Sequence, residues 1–170
     1  MLYDKKWDTT STTDKFKSAE ELGFTSKSYY RALIKVLYML ENNEFEWVSC
    51  CKISEGKSKK GFSMATTLVK TTPYGYTESN NALNCGTVGC IAGWAAFFDE
   101  NIQMKPQSTM LMIPNIVAEA DDPSRAVAWS NLITPNGWKF RDYSLSQAAH
   151  ALRTYLETGM ADWKEMNNVV

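Results

Sequence analysis

Histidine is almost missing from this chain: His150 is the only one in 170 residues. A single imidazole leaves a cysteine nucleophile with one candidate histidine base. Net charge is nearly missing too, with 18 basic against 19 acidic side chains, so no global field is available to hold a polyanion. Long apolar runs are also lacking. The longest, Cys90 to Phe98, is less than half of the roughly 20 residues that cross a bilayer as a helix, so no membrane contact is expected. Met1 to Asp8 contains no apolar core of a secretory signal. Four cysteines without such a signal read as reduced thiols, and the expected compartment is the cytoplasm. No period of about 20–50 residues recurs, which excludes repeat architectures.

The hydrophobic share of 44% and the aromatic share of 12% suffice for one core. Residues 1–13 are polar and threonine-rich and read as an N-terminal arm; residues 14–170 read as a single globular domain. Lys15 to Leu22 is expected to form two helical turns stopped by Gly23. From Lys27 to Asn42, capped by Thr25 or Ser26, the apolar residues Tyr30, Leu33, Ile34, Leu37 and Leu40 follow helical spacing. Trp47 to Ile53 and Met64 to Val69 are β-prone runs separated by a lysine-rich loop, which predicts an antiparallel hairpin over residues 47–70. Thr71 to Asn84 reads as an irregular connection.

Val88 to Phe98 is apolar all round, with small residues Gly89, Ala92, Gly93 and Ala96 at close-packing spacing, and predicts a buried central helix. A further helix is possible at Asn115 to Ala120. Asp122-Pro123 is an N-cap and N1 pair opening a helix through Leu132. Ser144 and Gln147 make a capping box for a last helix with Leu145, Ala148, Ala149, Leu152 and Leu156 on its inner face, closed by Gly159. The expected fold class is α+β and mainly α-helical, with helices packed around residues 88–98.

The chemically suggestive stretch is Cys85-Gly86-Thr87-Val88-Gly89-Cys90-Ile91-Ala92-Gly93-Trp94-Ala95. It resembles the CGTxxCxAG(H/W)A signature of short bacteriophage and bacterial proteins. That resemblance implies a phage or bacterial cytosolic origin and no particular reaction. Where many of those proteins carry histidine, this chain has Trp94.

Three chemistries can be asked of the motif. A cysteine-dependent hydrolase would use Cys85 or Cys90 at a helix N-terminus, where the dipole favours thiolate. Its base would have to be His150, which shares a helix face with Ser146, Arg153 and Glu157 rather than the apolar side. A zinc site would need Cys50, Cys51, Cys85 and Cys90, yet adjacent residues of a strand point to opposite faces. A small-ligand or anion binder would use the backbone N–H groups of Gly86 to Gly89 as a nest. The structural reading makes Cys85 and Cys90 small packed thiols, with Thr87 as helix cap. A disulfide between them is sterically allowed in a tight turn. No cofactor and no metal are expected.

Of six tryptophans, Trp94 and Trp129 fall in apolar helical runs, whereas Trp7, Trp138 and Trp163 lie beside lysines in polar surroundings. Exposed aromatics of that kind are typical anchors of protein interfaces. Lys57, Lys59 and Lys60 form the one basic cluster. They are not interleaved with aromatics, so a protein partner fits better than nucleic acid. The function expected from these features is a non-enzymatic protein-interaction module, phage-encoded, acting on a host or virion protein.

Overall fold

A computed structural model describes residues 13–47, 60–62, 64, 68–72, 75–77, 87–99, 122–134 and 143–163. Cys50, Cys51, Cys85, Gly86, Trp7, Trp138, Lys57, Lys59 and the possible helix at 115–120 lie outside these residues. The described chain is mainly helical: α1 (Lys27–Glu41), α2 (Ile91–Phe98), α3 (Pro123–Ile133) and α4 (Leu145–Thr158) accompany five short strands.

Local signals explain the helix ends. The Ser26 hydroxyl accepts from the Tyr29 N–H at the start of α1. Asn43 ends that helix at φ 54 while the Asn43 and Glu44 N–H groups donate to the Leu40 and Met39 carbonyls, the double bond of a left-handed C-terminal cap. Asp122 caps α3 with Pro123 behind it. Ser144 and Gln147 form the expected capping box of α4, and Gly159 closes it at φ 84.

Upstream of α1 the two expected helical turns are not formed. Thr13–Lys15 is a 3-10 turn. Ser18 to Gly23 is a separate turn, opened by a reciprocal Ser18–Glu21 pair and closed by Gly23 at φ 81. With capping groups five residues apart, too few remain to propagate a helix.

The hairpin expected over 47–70 is not formed either. One mixed sheet runs in the order β1-β2-β5-β3-β4, where β1 is Phe45–Trp47, β2 Lys60–Phe62, β3 Leu68–Thr72, β4 Gly75–Thr77 and β5 Thr87–Gly89. β1 and β2 pair in parallel, as do β2 and β5. The antiparallel partners of β3 are β4 and β5, so β3 starts in the expected strand Met64 to Val69, and β3 and β4 run on into what reads as an irregular connection from Thr71.

The motif helix is correspondingly shorter than expected. Thr87 and Val88, a β-branched pair, join a strand with neighbours on both sides, and the helix starts at Ile91. A short apolar run does not distinguish strand from helix by periodicity.

α1 lies against both α2 and α4. This explains why its buried arc is wider than the expected stripe: Tyr29, Ala32, Val36 and Met39 are buried along with Leu33, Leu37 and Leu40, while Tyr30 and Ile34 are half-buried. The Tyr29 hydroxyl donates to the Ala92 carbonyl of α2 at 3.2 Å. From the same end of α1, the Ser26 hydroxyl donates to the carboxylate of Asp99 at the C-terminal end of α2, a buried acid 3% exposed. Trp94 of α2 covers the sheet through Phe45, 5.3 Å between ring centroids, and stacks on Phe98. No described helix is long and apolar enough to cross a membrane.

Candidate functional site

Cys90 stands between β5 and α2 as the N-cap, with extended backbone, and its Sγ accepts from the Gly93 N–H at 3.4 Å. It therefore precedes the helix rather than sitting in its first turn, and it takes the capping place expected of Thr87. Its thiol is buried. Desolvation pushes the thiol pKa up, opposed in part by the N–H groups of Gly93, Ala92 and Cys90 itself. A buried sulfur caps a helix at little cost and is a poor nucleophile while it keeps its proton.

His150 lies on α4, half-exposed. Its Nε2 faces the Asp162 carboxylate at 3.5 Å. The described contacts of Cys90 include Gly93 and Tyr29, and those of His150 include Asp162 and Thr154. Arg153, one turn beyond His150, is engaged by Glu41 of α1 at 2.7 and 2.8 Å and by Glu157 at 3.5 Å.

The backbone nest expected at Gly86 to Gly89 is not formed over its described part. Thr87 to Gly89 is extended and lies between β2 and β3, whereas a nest needs alternating helical conformations. The Lys60 backbone belongs to β2, paired with Phe45. Among the described residues no group of three or more His, Cys, Asp or Glu side chains is placed to hold a metal ion.

Gly93 and Trp94 are buried, and the Trp94 indole N–H donates to the Gly61 carbonyl at 2.9 Å. Trp129 is buried against Phe24 and Tyr29.

Trp163, expected as an open anchor, is half-buried: its Nε1 donates to the Asn131 carbonyl of α3 at 2.9 Å, and its ring lies 4.5 Å from that of Tyr143. The exposed aromatic among the described residues is instead Trp47, 43% exposed on the outermost strand β1. Its Nε1 donates to the Tyr143 carbonyl at 3.1 Å, which fixes the ring against the approach to α4. Trp47, Tyr143 and Trp163 thus form a linked aromatic strip. Sequence reasoning placed Trp47 in a strand but missed its exposure, because Phe45 and Trp47 share one face of β1 and burial falls off along the strand rather than alternating. No known protein family, curated protein or solved structure matches this chain.

Proposed function

We propose that this chain is a non-enzymatic protein-interaction module. The observation that supports the reading is the Trp47 ring, held at its indole nitrogen by the Tyr143 carbonyl while a large apolar face stays open. An aromatic fixed in this way loses little side-chain entropy on binding, and tryptophan is enriched among the residues that dominate interface energetics. The resemblance carried by Cys85 to Ala95 supports a phage or bacterial origin, cytoplasmic action, and a host or virion protein as partner. The same reading takes α2 as the helix around which the others are arranged, supported by burial of every residue from Ile91 to Ala96.

The test is affinity capture from bacterial host lysate with the parent chain and a Trp47→Ala variant side by side. The expected result is a protein retained by the parent and lost from the variant, with melting temperatures within a few degrees. Equal retention by both removes Trp47 from the interface.

A further inference from the structure

Beyond α4 the chain reverses at Gly159 and runs back along the helix. The turn is tied by the Thr158 hydroxyl, which donates to the Thr154 carbonyl at 2.7 Å and accepts from the Met160 N–H at 3.1 Å. The far end is tied by Trp163, through Asn131 of α3 and the Tyr143 ring. Between the two ties stands His150. Its side chain is 41% exposed, yet its Nε2 is shielded from solvent and makes no hydrogen bond. The carboxylate of Asp162, the residue before Trp163, is 3.5 Å away. An imidazole protonated only at Nδ1 turns its Nε2 lone pair toward that carboxylate; an imidazolium turns an N–H toward it with full opposite charge.

We propose that His150 and Asp162 form a pH-responsive latch that holds the segment 159–163, and with it Trp163, against α4 and α3 when the imidazole is protonated. The other described charged groups near this face of α4 and the segment include Arg153 and Glu157 on the helix itself, Glu41 from α1, and Lys17, whose Nζ lies 3.7 Å from where a methyl on Gly159 would sit. Arg153 is already bonded to both carboxylates, which leaves Asp162 as the described acid facing the ring. Protonation gives the ring the charge that the Asp162 carboxylate attracts, so the latch opens when the proton is lost. It stands whether or not the aromatic strip binds a partner.

The experiment uses the full chain and NMR, with one histidine to follow. The protection factor of the Trp163 indole N–H, its exchange rate relative to free indole at the same pH, is measured alongside the His150 ring shifts. Protection is expected to fall about two- to fivefold as the imidazole loses its proton, the range that exposed ion pairs produce. His150→Gln and Asp162→Asn should each abolish that fall. Protection that stays flat in the parent chain, or a fall that persists in either variant, overturns the latch.

Discussion

The Trp94 indole N–H donates to the Gly61 backbone carbonyl across 2.9 Å in a buried setting, joining α2 to β2. One bond therefore couples the motif helix to the strand that pairs with β5, two residues upstream of that helix. The Trp94 ring also meets Phe45, Phe97 and Phe98, so the residue is packed and hydrogen-bonded at once.

Trp94→Phe keeps an aromatic ring there but removes the donor, leaving the buried carbonyl without it. The expected loss of unfolding free energy is about 1–3 kcal/mol from the lost bond, with a further contribution from the smaller ring. Urea denaturation with a shared slope reads this directly; a midpoint equal to the parent's would show that the bond contributes nothing.

Gly93 is buried between Ala92 and Trp94, both nearly inaccessible, and its N–H is committed to the Cys90 sulfur. Gly93→Leu should destabilise the protein, since overpacking a close contact costs typically about 1–3 kcal/mol against a total of about 5–15. A thermal melt within a degree or two of the parent would contradict the burial of α2.

Helix ends were legible in the sequence because caps are local chemistry. Ser26, the Asp122-Pro123 pair, Ser144 with Gln147, and Gly159 each act within a few residues of their own position. The sheet was not legible for the opposite reason. β2 pairs with β1 and β5, so its neighbours in space come from residues 45–47 and 87–89, and parallel pairing leaves no turn signature between partners. The β5–α2 boundary was hidden because strand and helix share one apolar run. Of the candidate site, burial of Trp94 could be read from its neighbours. The docking of Trp163 on Asn131 could not, because it depends on how α3 and the chain beyond α4 meet.

Gly159 ends α4 in the left-handed region, and a methyl group there would meet Leu22 at 3.6 Å and Lys17 at 3.7 Å. Those distances are ordinary contacts, so the penalty of Gly159→Ala is conformational. It should cost about 1–2 kcal/mol, seen as a lower urea midpoint with unchanged helical circular dichroism. An unchanged midpoint would mean that the turn relaxes, and protection of the Trp163 indole N–H would then be expected to drop with it.

Alkaline stability follows from three buried protons. Burial pushes up the Cys90 thiol and the Tyr29 and Tyr155 phenols. Each group keeps its proton in the folded state at a pH where the unfolded chain has lost it. The folded state then binds more protons, and stability falls as pH rises. The fall should begin near the ordinary thiol value, about 8.5, and steepen past the ordinary tyrosine value, about 10. Cys90→Ser keeps a capping oxygen and removes the thiol, so it should delay the onset to the tyrosine range. In the parent, peptide mapping after a thiol reagent at neutral pH should find Cys90 unmodified while the fold is intact. Rapid labelling of Cys90 there, or a urea midpoint equally steep in parent and Cys90→Ser between about pH 8 and 9.5, would show that the thiol is ionised in the folded protein and would reopen nucleophilic chemistry at Cys90.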